Sequence, residues 1–352
     1  MGTNSQTPYR FLQACLRQEV DATPVWFMRQ AGRYMAEYRA IREKYTLLEM
    51  VRQPQVAAEV TMQPVDRLGV DAAILFADIL LPAIPMGINL EFAKGEGPVI
   101  HNPVRTQPDV EHLRRVDPET DLGEVMEAVR LVRRQLDDMA PRRHVALIGF
   151  SGAPFTLASY MVEGGASRDY RLTKTLMYSE PVVWRGLMEH LSETLAAYLI
   201  AQVNAGAQAV QLFDSWVGAL SPADYQQYVL PYSQAVIQAV QKTGVPVIHF
   251  GTGTTTLLPL MQQAGGDVIG IDWRLPLDQG RQILGMQTAI QGNLDPVALF
   301  APLPVLKDKV HDILQRAGGQ PGHIFNLGHG ILPGTPVEAV RAVVDMVHAY
   351  QQ

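Results

Sequence analysis

Short apolar runs recur along the sequence, each followed by loop residues and then by a helical pattern. Continuous apolar runs are typical of strands buried on both faces, as in parallel sheets, whereas one-sided strands alternate. The runs, rich in β-branched residues, cover 24–28, 71–76, 144–150, 207–213, 245–250, 267–272, 288–293 and 323–328. The pattern predicts an α/β protein with eight parallel strands.

Helix candidates lie between the runs, and their ends carry capping residues. Ser or Thr before Pro is typical of a helix start, and Gly of a helix end. The candidates are 180–206 ending at Gly206, 221–244 starting at Ser221 and Pro222, 334–350 starting at Thr335 and Pro336, and 293–300.

Eight strands alternating with helices predict a (β/α)8 TIM-type barrel, with residues 1–352 forming one domain. The length alone would also allow two domains. The segments after strands two and three are long, so extra helices and extended loops are expected there. A doubly wound open sheet is the alternative, although no GxGxxG follows the first run.

In TIM barrels the chemistry lies at the carboxyl ends of the strands. Polar residues follow every predicted strand, so we expect them to converge on one mouth. They are Arg29, Arg33, Asp78, Ser151, Tyr160, Asp214, Ser215, His249, Asp272, Arg274, Asn293, Asp295 and His329.

Composition excludes several classes of protein. No apolar run reaches the roughly 18 residues of a membrane span, and residues 1–18 lack the pattern of a signal peptide. Cys15 is the only cysteine, so no internal disulfide forms, which fits a cytoplasmic protein. The net charge is −6, and no basic block indicates nucleic acid, yet 23 of the 29 basic residues are arginine. Arginine suits carboxylate and phosphate.

Three kinds of site could in principle form at the mouth. His249 and His329 lack a Cys partner or an HxxxH or HExxH pattern, so no zinc site is predicted. "GFSGAP" lacks the GxSxG spacing of a hydrolase elbow. "GTGTTTLL" and "GHGILPG" could cradle phosphate, but glycines and threonines that simply make turns and caps fit the first equally well.

Arg29 and Arg33 flank a glycine directly after the first apolar run, in "PVWFMRQAGR". They either lie on a solvated helix face, paired with Glu37, or bind an anion at the mouth. Asp78 lies among apolar residues, where an ionised carboxylate needs a donor or counter-charge. It either pairs with a neighbouring arginine or is held ready for the N–H groups of a ligand.

Two long segments, "PVWFMRQAGR" and "GFSGAPFTLASYMVEGG", resemble the signatures of the uroporphyrinogen decarboxylase family. "LFADIL", "AQAVQLFDSW" and "NLGHGILP" follow in the family's order, so the resemblance spans nearly the whole chain. It implies a TIM-barrel homodimer that needs no metal or organic cofactor. It also implies an enzyme that decarboxylates the four acetate side chains of uroporphyrinogen III, giving coproporphyrinogen III for heme or chlorophyll synthesis.

The resemblance also implies which residues form the site. The segment Arg29, Gln30, Ala31, Gly32 and Arg33 would bind substrate, its arginines holding carboxylates. Asp78 would contact the pyrrole N–H groups and stabilise the protonated pyrrole intermediate, with Arg29 as its catalytic partner. Tyr160, Ser215 and His329 would be further substrate contacts. Some members carry His where this chain has Trp216, which implies altered packing.

Two rival functions remain at this point. Corrinoid-linked methyltransferases resemble this family in fold, but they hold zinc through His and Cys, and Cys15 is far from any mouth loop. A non-catalytic tetrapyrrole carrier would use the same arginines, and only turnover separates it from an enzyme.

Overall fold

The structure, a computed structural model, describes residues 9–93, 97–140 and 142–350. The expectation about a signal peptide therefore falls partly outside the described residues, because residues 1–8 are not among them. In the described ranges no helix is long and apolar enough to cross a membrane.

Seven parallel strands form a curled sheet, with a separate two-stranded hairpin beside it. The sheet has the order β1-β4-β5-β6-β7-β8-β9, and β2 pairs with β3 in antiparallel fashion. The strands are β1 (Ala72–Ile74), β2 (Leu90–Ala93), β3 (Gly97–Ile100), β4 (Ala146–Gly152), β5 (Ala209–Asp214), β6 (Val247–Gly251), β7 (Val268–Gly270), β8 (Ala289–Gln291) and β9 (His323–Ile324).

Helices separate the strands along the chain. The α-helices are α1 (Arg10–Cys15), α2 (Ala36–Arg42), α3 (Leu47–Val51), α4 (Pro54–Leu68), α5 (Gln107–Glu111), α6 (Pro118–Asp121), α7 (Gly123–Met139), α8 (Pro154–Glu163), α9 (Arg171–Ser179), α10 (Pro181–Ala205), α11 (Pro222–Tyr228), α12 (Leu230–Gln241), α13 (Leu258–Ala264), α14 (Leu277–Leu284), α15 (Leu303–Ala317) and α16 (Val337–Ala349). Short 3₁₀ turns cover Leu81–Ala83, Val217–Ala219, Thr255–Leu257 and Pro296–Phe300.

The parallel sheet is buried on both faces, as the continuous apolar runs predict. Every residue of β4 and β6 is buried. Helices cover the outside of the sheet, and the longest, α10, packs on β4 and on α12. Among the described residues, a 3₁₀ turn, the hairpin and three α-helices lie between β1 and β4, and α8, α9 and α10 lie between β4 and β5.

The first apolar run, 24–28, is not a regular strand, although it was predicted as one. Only Val25 forms a bridge, in parallel with Phe325. The cause is that side chains accept the hydrogen bonds that a neighbouring strand would otherwise accept. Met28 N–H donates to Asn326 Oδ1, and Phe27 N–H donates to Gln30 Oε1.

This run nevertheless lies between the two edges of the sheet. Phe325 N–H donates to the Pro24 carbonyl next to β9, and Asp71 N–H donates to the Val25 carbonyl next to β1. The run therefore joins the outer strands and carries its following residues to the carboxyl ends of the strands.

Three helix predictions need correction. The segment 293–300 forms only a 3₁₀ turn, Pro296–Phe300. The segment 221–244 is two helices, because Pro231 has no N–H to continue the first helix, which ends at Tyr228. Thr335 does not cap the last helix, since its hydroxyl donates to the Leu332 carbonyl instead. Ser221 does cap α11, accepting the Asp224 N–H at 3.1 Å.

Candidate functional site

A cavity of about 530 Å³ lies at the carboxyl ends of the strands, where the ends of β1, β4, β5 and β6 meet the loop after β9. It brings together the predicted site residues from five separate parts of the chain. All nine line it: Arg29, Gln30, Ala31, Gly32, Arg33, Asp78, Tyr160, Ser215 and His329.

Three phenylalanines form an apolar floor. Phe150, Phe213 and Phe250 lie on the adjacent strands β4, β5 and β6 and all line the cavity. Their rings meet edge to face, with centroids 5.6 Å apart for Phe150 and Phe213 and 6.0 Å apart for Phe213 and Phe250. The floor offers a flat ring system an apolar surface. The sequence predicts no role for these residues, although three of the apolar runs end in these Phe residues.

The arginine loop, residues 29–33, is fixed by its own second residue. The buried Gln30 side chain donates to the Ala72 carbonyl on β1 at 3.0 Å, and the Gln30 carbonyl accepts the Tyr34 hydroxyl at 2.6 Å. Arg29 has a left-handed backbone with φ of 59°. Such a conformation in a non-glycine residue costs of order 1–3 kcal/mol and clusters at functional sites.

Both guanidinium groups of this loop are available to a ligand. Arg29 and Arg33 are exposed, and in the part of the chain that the structure describes neither forms a salt bridge, with Glu37 or any other acid. Arg39 and Arg42 differ, because their guanidinium groups donate to backbone carbonyl groups. The positive charge at the cavity therefore comes from Arg29 and Arg33.

Asp78 is a partly buried carboxylate that faces this charge. Its Oδ1 accepts the Leu80 N–H at 2.9 Å. Burial raises the pKa of Asp78, while the Leu80 hydrogen bond and the Arg29 charge act in the opposite direction. The carboxylate thus sits in an apolar wall with one donor and one nearby cation, which fits neither a plain ion pair nor a solvated acid.

Tyr160 and His329 also line the cavity, and the pKa of each is shifted in the direction that favours its neutral form. Burial and the Asp78 charge raise the pKa of Tyr160 to about 12. Burial and the Arg29 charge lower the pKa of His329. The two side chains therefore offer hydrogen bonds without adding charge.

Trp216, the departure from some family members, lies beside the cavity. Its ring meets those of Tyr160 and Tyr170, each with centroids 5.8 Å apart. An aromatic neighbour thus supports Tyr160.

Several polar residues predicted at the mouth lie elsewhere. Ser151, Asp214 and His249 are fully buried, the last two within 3.4 Å of each other. A side chain on β6 that faces away from the phenylalanine floor cannot reach the cavity, because side chains alternate along a strand.

A second cavity, of about 550 Å³, collects other members of that set. Arg274, Asn293 and Asp295 line it. Asp272 does not line either cavity: it pairs with the Arg274 side chain at 2.7 Å and accepts the Gly253 N–H. The loop "GTGTTT" therefore gives a backbone donor to an internal carboxylate, as expected of a turn.

No metal site emerges from the described ranges. They contain no group of three or more His, Cys, Asp or Glu side chains placed to hold a metal ion. Cys15 is buried in α1, and burial raises the pKa of its thiol.

Comparison with known proteins decides the family. Residues 6–350 match the family described as uroporphyrinogen decarboxylase (URO-D). This chain belongs to the uroporphyrinogen decarboxylase family. A uroporphyrinogen decarboxylase of Sorangium cellulosum is 60% identical over 340 residues, which cover 97% of this chain and 96% of the relative. One of Roseiflexus sp. is 58% identical, covering 98% of this chain and 99% of the relative.

Solved structures with the same fold include members of other families. A methyltransferase from Methanosarcina mazei aligns with a TM-score of 0.79 at 19% identity, covering 96% of both chains. A B12-independent methionine synthase from Shewanella sp. aligns with a TM-score of 0.57 at 10% identity, covering 86% of this chain and 90% of the other. At this identity the likeness concerns the fold alone.

Proposed function

We propose that this chain decarboxylates the four acetate side chains of uroporphyrinogen III, releasing four CO2 and giving coproporphyrinogen III. The observation that carries the proposal is the cavity itself. One carboxylate, Asp78, shares a cavity and its apolar floor with two guanidinium groups that have no salt-bridge partner among the described residues. A cyclic tetrapyrrole has the matching chemistry: acidic side chains outside, N–H groups at its centre and apolar faces.

The arginine loop is the proposed carboxylate site. Guanidinium groups bind carboxylates through paired N–H donors. The substrate and the protein, with its net charge of −6, are both negative. Charges beyond about 8 Å are largely screened at physiological salt, so local groups decide binding. Arg29 and Arg33 therefore outweigh the negative charge of the whole molecule.

Asp78 is the proposed catalytic carboxylate. Loss of CO2 from a pyrrole acetate leaves an electron pair, which a protonated pyrrole ring accepts. An opposite charge about 4 Å from that cationic ring is worth roughly 4 kcal/mol at an effective dielectric near 20. Enzymes lower barriers by about 8–23 kcal/mol, so positioning of the substrate must supply the rest.

Arg29 guides the reacting acetate in this proposal, and it is not itself the acid. A guanidinium group keeps its proton in proteins, so it is a poor proton donor. Tyr160, Ser215 and His329 contact the substrate through neutral groups, and Gln30, Ala31 and Gly32 do so through the backbone that Gln30 fixes. The proton comes from water or from a carboxyl group of the substrate.

Three further features belong to the same proposal. The first apolar run takes the eighth strand position, which makes the sheet a closed (β/α)8 barrel of one domain over residues 1–352. The active unit is a cytoplasmic homodimer that binds neither nucleic acid nor a membrane. The reaction uses no metal and no organic cofactor.

The test is anaerobic incubation of chelator-treated protein with freshly reduced uroporphyrinogen III. The products are oxidised and separated by their number of carboxyl groups. We expect species with seven, six, five and four carboxyl groups in succession, without added metal. Tight porphyrin binding without turnover would instead identify a carrier, and turnover that appears only with added metal would contradict the cofactor-free mechanism.

A further inference from the structure

We infer that Gly330 is a positioning residue for Arg29: the missing side chain at 330 makes the room in which the Arg29 stem crosses to the cavity. The inference rests on the proposed function, because it assigns a support to the arginine proposed to bind the reacting acetate. Gly330 is buried and lines the same cavity, directly after His329.

The contact between the two residues is too close for any side chain at position 330. A Cβ built on Gly330 would lie 2.4 Å from Arg29 Cδ, 2.7 Å from Arg29 Cγ and 3.1 Å from Arg29 Nε. These three nearest atoms all belong to one side chain. Carbon atoms attract at about 3.5–4.0 Å and repel well inside that distance. A methyl group at 330 therefore has to displace Arg29.

The backbone on both sides of this contact is held in place. Ile331 N–H donates to the Met28 carbonyl, and Gly328 N–H donates to the Leu294 carbonyl. A Cβ on Gly328 would lie 2.3 Å from Trp273 N, so the loop is pressed against a second backbone segment. Since the loop cannot retreat, the Arg29 stem has to move.

Gly330 itself does not need to be glycine for its backbone. Its φ lies outside the left-handed region, unlike that of Gly322 or Gly334. Alanine is therefore compatible with the local conformation, and the cost of a substitution falls on the Arg29 side chain.

The position of Arg29 has an electrostatic signature. Its charge lowers the pKa of His329 and opposes the burial that raises the pKa of Asp78. If the guanidinium group moves away, the pKa of His329 rises. A general loss of stability would not raise the pKa of His329 in the folded state.

The experiment compares Gly330→Ala with the wild type and with Gly123→Ala. Gly123 is the matched control, because its φ is not left-handed and a Cβ there meets nothing within 4 Å. We expect Gly330→Ala to lower kcat/KM by about tenfold or more and to raise the pKa of His329 measured by NMR titration. Gly123→Ala should leave both unchanged.

A second background isolates the contact. In Arg29→Ala the stem is absent, so adding Gly330→Ala should leave the Kd for uroporphyrin within about twofold, because the close contact between the two positions no longer exists. If Gly330→Ala melts below the wild type, the double variant should regain the melting temperature of Arg29→Ala.

Two outcomes would overturn the inference. One is an unchanged kcat/KM and His329 pKa in Gly330→Ala. The other is an equal loss of binding or of stability in the Arg29→Ala background. If the wild type itself decarboxylates nothing, the proposed function fails, and the His329 titration still decides whether Gly330 positions Arg29.

Discussion

The Asp71 side chain accepts the Val25 N–H at 2.8 Å, while the Asp71 N–H donates to the Val25 carbonyl at the same distance. This reciprocal pair fastens the first apolar run to the edge of β1. The same carboxylate also accepts from His348 Nε2 at 2.8 Å, and so ties the last helix to the run.

Replacing Asp71 tests how much this fastening contributes to stability. Asp71→Ala leaves a buried N–H without its acceptor, so the free energy of unfolding should fall by about 3 kcal/mol. Asp71→Asn keeps an oxygen for Val25 and should lose clearly less. Urea unfolding of the three proteins measures this, and equal losses for both variants would contradict it.

Asp78→Asn should bind substrate but lose most of its activity. The amide keeps the shape of the carboxylate but not the charge that stabilises the cationic pyrrole. A loss of roughly 4 kcal/mol corresponds to about a thousandfold drop in kcat. Anaerobic turnover and fluorescence binding of porphyrin measure the two effects, and full activity would remove Asp78 from the mechanism.

The same variant should change the pH dependence of stability. Burial raises the pKa of Asp78 above its ordinary value of 3.8, so the folded chain keeps a proton that the unfolded chain has already lost. The stability from this proton is present below the unfolded pKa and is lost as pH rises through the folded pKa.

Asp78→Asn cannot ionise. It should therefore unfold at a higher denaturant concentration than the wild type when the pH is above the folded-state pKa of Asp78. The difference should shrink as pH falls towards 3.8. Denaturant unfolding across the pH range provides the measurement, and a gain that is the same at every pH would refute it.

Arg29→Gly and Arg29→Ala should differ in stability, although both bind substrate more weakly than the wild type. Arg29 has a φ of 59°, which glycine adopts without steric cost. Arg29→Gly should therefore be more stable than Arg29→Ala by about 1 kcal/mol. Thermal unfolding of the two variants checks the sign, and a more stable alanine variant would mean that the loop relaxes.

Gln202 should be needed for the floor of the cavity. From α10 it donates to the Phe150 carbonyl and accepts the Phe150 N–H, both at 2.9 Å. Gln202→Ala leaves two buried backbone groups unpaired, so the free energy of unfolding should fall by about 2–4 kcal/mol. Gln234, whose exposed side chain bonds a single carbonyl, offers the matched control, and equal effects at both sites would contradict the prediction.

Most strands of the sheet could be predicted from the sequence, because a parallel strand buried on both faces appears as a continuous apolar run. The helix of 180–206 was equally readable, since Pro181 and Gly206 mark its two ends. The first run does not form a regular strand, and the run's own sequence does not reveal why. Its N–H groups donate to the side chains of Gln30 and Asn326, and Asn326 is distant in sequence.

The sequence predicts site residues that lie close together in one motif. It does not predict those whose role depends on which face of a strand their side chain occupies. Arg29 and Arg33 are four residues apart and share one loop, so their joint exposure could be anticipated. His249 could not be assigned, because one residue of register decides whether a strand side chain faces the cavity or the helices. The resemblance to a family supplied the distant partners, Tyr160, Ser215 and His329, that spacing alone cannot join.

The first apolar run, residues 24–28, forms a seam between β9 and β1, and this seam affects how the protein unfolds locally. Where a ladder is replaced by a few side-chain bonds, amide protons are expected to exchange more readily than in the central strands. Arg29 and Arg33 directly follow this seam, so a partial opening there carries them away from Asp78 while β4, β5 and β6 stay paired. At low denaturant concentration the protein should therefore lose activity before it unfolds globally.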